Sequence, residues 1–243
     1  MIHTRTTSAL VLLLSCATSA NAAVLLHDYQ FNGNLEDSLG GPALVADGGT
    51  LGTGSYAFDN NHGLTLSDGL MDGGSYSIAM NFNRSTYGTY GTQKYVDFKN
   101  FSTNYGLVTS YGTVFFYPSS GLSYGASNGR IELNTDTEMV FTRDGNTKEF
   151  SLYVDGKKAG SFIDNQSYAV FSSEHKVMHF FEDDPWGGDY HPGPGTVNSL
   201  RIWDGALSAT EVANINAVPL PGAFWLLGSA LAGMGLLGKR RAA

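Results

Sequence analysis

The sequence is poor in cysteine, and its one thiol lies near the amino terminus. Cys16 is the only cysteine in 243 residues. A disulfide therefore cannot form within the chain, although small exported domains are commonly stabilised by disulfides. The fold must be stabilised by a hydrophobic core or by a bound ion, and a chain of this length can bury a sizeable core.

Basic residues are also scarce. Lys and Arg number 14 against 22 Asp and Glu, which gives a net charge of −8. The terminal segments contain Arg5, Lys239, Arg240 and Arg241 and no acidic residue, so the central part of the chain is more acidic still. Nucleic-acid surfaces need clustered Lys and Arg. The charge balance argues strongly against nucleic acid as a partner and is compatible with cation binding.

Long charged helix formers are few, whereas glycine and aromatic residues are frequent. Charged residues make up 15% of the chain and aromatic residues 12%, with 31 Gly, 13 Tyr and 14 Phe. Tyr and Phe favour strands, and Gly favours turns. The composition predicts many short strands and little helix.

Residues 1–22 have the features of a signal peptide. The positive Met1–Arg5 precedes Ala9–Leu14, an apolar run that is too short to span a bilayer. Ala20-Asn21-Ala22 has the small-x-small pattern that signal peptidase recognises, so we expect export through the Sec pathway and cleavage after residue 22. The alternative is lipidation of the cysteine in Leu13-Leu14-Ser15-Cys16, which loosely matches a lipobox.

Residues 216–243 have the features of a membrane-anchoring segment. The motif Val218-Pro219-Leu220-Pro221 precedes the uncharged Gly222–Gly238, and Lys239-Arg240-Arg241 follows. At about 1.5 Å per residue, a helix over 222–238 just crosses the hydrocarbon layer of a bilayer. The basic residues should stay cytoplasmic, which puts the rest of the chain on the opposite side of the membrane.

Proline motif, apolar segment and basic tail together resemble the PEP-CTERM sorting signal. The resemblance implies processing near the motif by exosortase, an intramembrane transpeptidase, and a Gram-negative host that makes exopolysaccharide. The acidic residue usual between the prolines of that signal is Leu220 here. We expect a domain that is anchored outside the cytoplasm and then reaches the cell surface or the extracellular matrix.

Between residues 23 and 215, apolar residues repeatedly alternate with small or polar ones, which predicts strands. Tyr76, Ile78, Met80 and Phe82 would lie on one face of such a strand. Two more runs with this spacing are Phe150, Leu152 and Val154, and, after an irregularity following Val197, Leu200 and Ile202. The pattern predicts a single sandwich or jelly roll of short antiparallel strands.

Turn and capping signals lie between and after these runs. Asp155-Gly156 predicts a tight hairpin, because this pair suits the positive φ angles of a type I′ turn. Ser208-Ala209-Thr210-Glu211 is a capping box and predicts one short helix. Val212 and Ile215 give that helix an apolar edge, with which we expect it to pack on one end of the sandwich.

Three segments resemble, in the right order, LamG-like domains with the concanavalin A-like jelly-roll fold. Tyr29–Ser38 is similar to the opening of these domains, Phe150–Gly156 to a characteristic hairpin, and Leu200–Val212 to the closing strand and helix. The resemblance covers about Leu25–Ile215 and implies two antiparallel sheets, a flatter convex one and a concave one. It implies no single function.

A calcium site is the first functional hypothesis. Members of this superfamily often hold Ca²⁺ near the opening loop or at a sheet edge, and Ca²⁺ takes several oxygen ligands at about 2.3–2.6 Å. Asn34 and Asp37 lie in that loop, and Asp204 follows the closing strand. The alternative is turn chemistry, in which Asn and Asp bond their own backbone. His175 and His179 lack an evident third ligand, so no zinc site is predicted.

The Gly- and Pro-rich loop Glu182–His191 is the second candidate. A rigid sandwich commonly presents ligand contacts on such loops. The candidate ligand residues are Asp183, Asp184, Trp186, Asp189 and Tyr190. The two rings would stack on sugar faces, and Asp189 would bond hydroxyl groups. The alternative is a solvated loop whose Trp186 packs back on the core.

A tyrosine-rich stretch is the third candidate. Tyr has an apolar ring and a hydrogen-bonding hydroxyl, and it suits wet interfaces. A sugar-binding concave sheet would have this composition, and so would ordinary strands with half-buried tyrosines. The residues are Tyr87, Tyr90, Tyr95, Tyr105, Tyr111, Tyr117 and Tyr124.

A glycoside hydrolase would need two carboxylates that flank the scissile bond. Concanavalin A-like glucanases present Glu, Asp and Glu at alternate positions of one strand. The nearest match is Asn134-Thr135-Asp136-Thr137-Glu138, which has Asn in the place of the nucleophile. No nucleophile elbow is present either, so we expect no catalytic residues.

The sequence as a whole predicts an exported, non-catalytic, lectin-like protein that binds exopolysaccharide, with Ca²⁺ as its candidate cofactor. The alternative is a structural or adhesion protein of the matrix that binds other proteins. The predicted fold is an all-β, LamG-like jelly-roll sandwich with one short helix near the domain end and a C-terminal transmembrane helix. The predicted organisation is a signal peptide (1–22), the LamG-like domain (23–215) and the sorting segment (216–243).

Overall fold

The computed structural model describes residues 23–59, 61–70, 74–88, 91–117, 129–171, 176–183 and 193–215. The predicted signal peptide, sorting motif and transmembrane helix lie outside these residues. Within them, no helix has the length and apolar character needed to cross a membrane.

Fourteen strands, numbered in chain order, form two antiparallel sheets in the described part of the chain. The eight-stranded sheet consists of β1 (Val24–Tyr29), β3 (Thr50–Leu51), β4 (Tyr56–Phe58), β6 (Tyr76–Arg84), β10 (Thr137–Arg143), β11 (Glu149–Val154), β12 (Lys157–Ile163) and β14 (Gly195–Asp204). The six-stranded sheet consists of β2 (Val45–Ala46), β5 (Leu64–Ser67), β7 (Thr92–Asp97), β8 (Gly106–Ser110), β9 (Thr113–Tyr117) and β13 (Val177–Phe180). The predicted all-β sandwich of two antiparallel sheets is confirmed.

Strand β14 organises the eight-stranded sheet, whose order is β12-β11-β10-β6-β14-β4-β3. One edge of β14 pairs with β6. Its other edge is shared, because β4 pairs with its first residues and β1 with its last ones. The predicted irregularity after Val197 is a shift of register between Val197 and Ser199. The six-stranded sheet has the order β2-β5-β13-β7-β8-β9.

The core fills the space between the sheets and is rich in aromatic rings. Tyr76, Ile78, Met80 and Phe82 are all buried on one face of β6, as their spacing predicts. The ring of Phe98 lies at the centre of an aromatic cluster. Its nearest ring neighbours are Phe171 at 4.6 Å, Phe116 at 5.4 Å and Phe141 at 5.9 Å between centroids. This core replaces the disulfides that the sequence lacks.

The predicted hairpin and helix are present. Asp155 and Gly156 join β11 to β12 with φ angles of 49° and 73°. The helix α1 (Ala209–Ala213) begins after Ser208, whose hydroxyl accepts a hydrogen bond from the backbone N–H of Glu211. In return the carboxylate of Glu211 accepts from the Ser208 N–H at 2.7 Å, and this backbone hydrogen bond lowers the pKa of Glu211.

The position of α1 differs from the expectation. The helix packs against the outer face of the eight-stranded sheet instead of one end of the sandwich. Its Val212 belongs to a small second cluster with Ala79, Val140, Tyr153 and Leu207. Ala79, Val140 and Tyr153 are aligned across β6, β10 and β11, so an apolar strip on the outer face of this sheet receives the helix.

Candidate ligand-binding surface

The opening loop is organised around the carboxylate of Asp37. One carboxylate oxygen accepts hydrogen bonds from the backbone N–H groups of Asp28 and Leu39, at 2.9 and 3.0 Å. The other oxygen accepts from the N–H of Gly41 at 3.0 Å and lies 2.7 Å from Nδ1 of His27. Burial disfavours the charged carboxylate, but these hydrogen bonds outweigh burial and hold the pKa of Asp37 below its usual range.

His27 also faces the carbonyl oxygen of Gly69, which lies 2.7 Å from its Nε2. Both ring nitrogens of His27 therefore face oxygen atoms, one on Asp37 and one on Gly69. The sequence analysis missed His27. The signal for it was the spacing of His27, which lies two residues before the buried Tyr29 and so on the same face of β1.

The three candidate calcium ligands are not all close together. Asn34 and Asp37 lie in one loop, and the Asn34 side chain accepts from the N–H of Glu36 at 3.1 Å. Asp204 pairs with Val24 at the start of β1, whereas Asp37 contacts the backbone of Asp28 near the end of this strand. The two positions lie about 10 Å apart along the sheet. In the described part of the chain, no group of three or more His, Cys, Asp or Glu side chains is arranged to hold a metal ion.

Only Asp183 of the candidate ligand residues in the second loop lies within the described residues; Asp184, Trp186, Asp189 and Tyr190 lie outside them. Asp183 belongs to a buried ionic group on the outer face of the six-stranded sheet. Nζ of Lys94 lies 2.6 Å from the carboxylate of Asp97 and 3.2 Å from that of Asp183. All three side chains have 0% exposure.

A second polar group lies beside this one and is centred on His179 of β13. Its Nδ1 lies 2.9 Å from the hydroxyl of Thr65 and 3.1 Å from the carboxylate of Glu182. Its Nε2 lies 2.9 Å from the side-chain oxygen of Asn100, and the ring of Phe101 stacks on it at 3.8 Å. We call the two groups together the polar network: Lys94, Asp97, Asp183, His179 and Glu182.

The polar network is buried, which constrains its chemistry. The Glu182 side chain is only 4% exposed, and those of Asp97 and Asp183 are fully buried. A glycosidase needs two carboxylates on opposite sides of a bound sugar, about 5–9.5 Å apart. The carboxylates of Asp97, Asp183 and Glu182 instead contact Lys94 or His179 and are shielded from solvent.

The segment that resembles the glucanase pattern lies on the other sheet. Glu138 is buried on the outer face of the eight-stranded sheet, where Nη2 of Arg201 lies 3.2 Å from its carboxylate. Asp136 precedes β10, and its carboxylate accepts a hydrogen bond from Asn83 at 2.9 Å. Both acids therefore have structural partners.

The tyrosines of the third candidate fall into different environments. Tyr95 belongs to the core, and burial raises its pKa to about 12. Tyr105 packs edge-on against Tyr168 at 4.7 Å. Tyr111 and Tyr117 are exposed, at 61% and 38%. Tyr90 and Tyr124 lie outside the described residues, and Tyr87 is partly buried next to Tyr111.

Two open clefts lie on the outer face of the eight-stranded sheet. One, of about 500 Å³, has a floor of Thr50, Ala57, Thr196 and Asn83 and is bordered by His62. The other, of about 670 Å³, lies between the outer face of β10–β12 and the start of α1. Both clefts are open to solvent and present polar as well as apolar surface.

Comparisons with known proteins agree with this architecture. The two packed antiparallel sheets define a jelly-roll protein. Residues 58–213 match the family described as the concanavalin A-like lectin/glucanases superfamily, and the chain belongs to this family. A comparison with curated proteins gives no match.

Several solved structures share the fold. Domain 4 of AbnA, a GH43 extracellular arabinanase from Geobacillus stearothermophilus solved in complex with arabinotriose, is 21% identical, with a TM-score of 0.58 over 79% of this chain and 98% of that domain. Trypanosoma rangeli sialidase in complex with sialic acid is 14% identical, with a TM-score of 0.59 over 77% of this chain and 32% of the sialidase. The binding domain of botulinum neurotoxin serotype D is 14% identical, with a TM-score of 0.56 over 79% of this chain and 51% of that domain. At these identities the similarity establishes the fold alone.

Proposed function

We propose that this protein is a non-catalytic, lectin-like module that binds extracellular polysaccharide. The observation that carries the proposal is the state of the acids in the polar network, since Asp97, Asp183 and Glu182 are buried against Lys94 or His179. Membership of a superfamily that includes lectins and glucanases is consistent with a sugar ligand. Acids that are ion-paired and shielded from solvent favour binding.

The proposal includes export and anchoring. Residues 1–22 direct the chain through the Sec pathway, and signal peptidase removes them. Exosortase then processes the sorting signal, which consists of Val218–Pro221, the membrane-spanning 222–238 and the basic 239–241. The domain thereby reaches the cell surface or the matrix. Mass spectrometry of the mature carboxyl terminus, with and without exosortase in the host, tests this: an intact 222–243 in both strains contradicts it.

Calcium is the proposed cofactor at the opening loop. Asn34 and Asp37 would contribute oxygens there, together with backbone carbonyls. Each oxygen of Asp37 already accepts two hydrogen bonds, so a bound ion would have to replace some of these donors. A melting temperature that is the same in Ca²⁺ and in EDTA contradicts the calcium part of the proposal.

The decisive experiment is binding of the purified Ala23–Ala217 domain to the exopolysaccharide of its host, in Ca²⁺ and again in EDTA. Saturable binding supports the lectin-like function, and its loss in EDTA assigns a role to calcium. Release of reducing ends from laminarin or from the host polysaccharide would instead indicate a hydrolase. Absence of binding in both buffers would favour the structural or adhesion role, in which the partners are proteins.

A further inference from the structure

The turn between β8 and β9 carries a tyrosine in an unfavourable backbone conformation. Tyr111 and Gly112 form this two-residue turn with φ angles of 45° and 86°, as in a type I′ hairpin. Glycine, asparagine and aspartate suit such φ angles, whereas bulky residues rarely adopt them. The Tyr111 side chain is nevertheless 61% exposed. A large ring that is presented to solvent from such a conformation motivates a hypothesis of function.

The ring of Tyr111 is held in place by a neighbouring backbone. A Cβ atom built on Gly91 would lie 2.5–2.8 Å from three ring atoms of Tyr111, so the ring lies directly over this glycine. The Tyr111 N–H also donates a hydrogen bond to the carbonyl oxygen of Gly91 at 2.6 Å. The absence of a side chain at Gly91 therefore leaves room for the ring, and the hydrogen bond holds the Tyr111 backbone next to this glycine.

Tyr87 extends the aromatic surface. Its ring centroid lies 6.2 Å from that of Tyr111, with an angle of 59° between the planes. The guanidinium of the fully buried Arg84 lies 5.1 Å from the Tyr87 ring, within the range of a cation–π contact. Two nitrogens of Arg84 donate to the carbonyl oxygen of Thr86, which anchors the guanidinium under the ring.

An exposed ion pair lies beside the two rings. Nη2 of Arg130 donates to the hydroxyl of Tyr87 at 3.4 Å, and its Nε lies 3.0 Å from the carboxylate of Glu132. The side chains of Arg130 and Glu132 are 56% and 60% exposed. The hydrogen bond with Tyr87 raises the pKa of Arg130 above its usual value. The surface thus combines aromatic faces with a hydrogen-bond donor and a hydrogen-bond acceptor.

We infer that Tyr87, Tyr111, Arg130 and Glu132 form a binding subsite for a neutral sugar ring. This inference rests on the proposed polysaccharide-binding function and assigns it a place and a ligand class. The apolar face of the sugar stacks on Tyr111, and its neighbouring hydroxyl groups bond the guanidinium and the carboxylate. Such pairing of one donor group and one acceptor group matches hydroxyls, which both donate and accept.

Charge selects a neutral glycan over an acidic one. Glu132 neutralises Arg130 at the surface, so the exposed part of the subsite has no excess of positive charge. The whole chain has a net charge of −8 and repels polyanions at long range. The negative charges of a uronic acid polymer would be repelled by the acidic protein, and Arg130 is already paired with Glu132. The affinity of a neutral polymer is not lowered by this charge.

The test exploits the strain in the turn. Asparagine suits a positive φ angle, and Asn-Gly is a preferred type I′ pair, so Tyr111→Asn removes the ring without harming the fold. Tyr105→Ala is the matched control, because Tyr105 precedes the opposite end of β8 and packs on Tyr168. The full chain, expressed with its own leader and purified in mild detergent, is titrated with linear arabinan and laminarin as neutral probes and with alginate as the acidic probe.

We expect the parent chain to bind a neutral probe. Tyr111→Asn should weaken that binding at least about tenfold with a melting temperature equal to or above that of the parent. Tyr105→Ala should change the affinity by less than about twofold. Arg130→Gln, which keeps a donor but loses the charge-assisted bonds, should give an intermediate loss.

The outcomes separate the subsite from the wider function. Neutral-glycan binding that Tyr111→Asn leaves intact overturns the subsite and leaves the lectin-like function standing. Binding of alginate with no binding of the neutral probes overturns the ligand class. A parent chain that binds none of the three polymers overturns the subsite, and binding of the exopolysaccharide of its host, measured in parallel, decides whether the lectin-like function also falls.

Discussion

Replacing Asp37 by alanine tests how the opening loop is held. The carboxylate accepts hydrogen bonds from the N–H groups of Asp28, Leu39 and Gly41 and contacts Nδ1 of His27 at 2.7 Å. Alanine leaves these donors without their acceptor in a loop where Asp37 is only 6% exposed. The loop follows β1, which pairs with β14. A disordered loop should therefore also weaken the eight-stranded sheet.

The expected magnitude follows from the hydrogen bonds that the substitution removes. A hydrogen bond to a charged group contributes about 1.5–3 kcal/mol, but such values are not additive within one network. Because three backbone N–H groups lose one shared charged acceptor, we expect Asp37→Ala to lower the free energy of unfolding by about 3 kcal/mol. That is a large share of the roughly 5–15 kcal/mol that stabilises a typical domain.

Urea unfolding of the Ala23–Ala217 domain, followed by circular dichroism, measures the effect. Glu36→Ala is the matched control, because Glu36 is the exposed acidic neighbour, and it should change stability by less than about 0.5 kcal/mol. A loss below about 1 kcal/mol for Asp37→Ala would refute the reasoning, because it would mean that water replaces the carboxylate without penalty.

The same hydrogen bonds determine a pH dependence. The folded-state pKa of Asp37 lies below the value of about 3.9 expected in the unfolded chain. Its contribution to stability is therefore fully present above about pH 4 and is lost as the pH falls through the folded-state pKa. The free energy of unfolding of Asp37→Ala should therefore fall less than that of the parent as the pH drops below about 4. A series of urea titrations from neutral pH to about pH 2 would measure this difference.

Three further substitutions test other parts of the structure. Lys94→Met leaves Asp97 and Asp183 buried without their shared cation and should lower the free energy of unfolding in urea by about 3–5 kcal/mol. An unchanged urea midpoint would mean that Lys94 does not stabilise the two carboxylates. Phe98→Ala opens a cavity among the core rings and should cost about 3–5 kcal/mol, with a gain in dye binding if packing loosens. Gly91→Ala adds a Cβ at a φ of 75° and against the ring of Tyr111. Thermal melts should therefore show a loss of about 1–2 kcal/mol in the free energy of unfolding. An unchanged melting temperature would mean that the ring does not lie over this glycine.

The strands and their inward faces could be predicted because local periodicity determines them. Alternation in β6 gave the buried face of Tyr76, Ile78, Met80 and Phe82 directly. Local turn and capping chemistry was equally readable, since Asp-Gly and the capping box depend on a few neighbouring residues. The position of α1 was wrong because it depends on an apolar strip that three different strands supply across the eight-stranded sheet.

Contacts between distant segments were not readable from the chain alone. Asp37 and Asp204 both lie beside the β1–β14 pair, but the antiparallel register puts Val24 opposite Asp204 and Asp28 opposite Arg201. The two acids are therefore at different ends of the pair. This separation could be predicted only from the register of the two strands, and no local sequence pattern contains that register.

The buried ions were hidden for a related reason. Lys94 lies in a strand whose alternation suggests an exposed side chain, yet its ammonium group is fully buried. A shift of register between Lys94 and Val96 leaves Tyr95 in the bulge and turns its ring into the core. The available signal was the Lys-x-x-Asp spacing of Lys94 and Asp97, because a cation within an apolar strand needs a nearby acid.

Two hairpins of this fold use the same turn conformation with different residues. The β11–β12 turn uses Asp155 and Gly156 at φ angles of 49° and 73°, and the β8–β9 turn uses Tyr111 and Gly112 at 45° and 86°. The fold can therefore make this turn with a residue that suits it. If Tyr111 serves packing alone, Tyr111→Asn should destabilise the domain, whereas a ligand role predicts a stable variant with weaker glycan binding. Stability and affinity move in opposite directions only in the second case, so measuring both distinguishes the two roles.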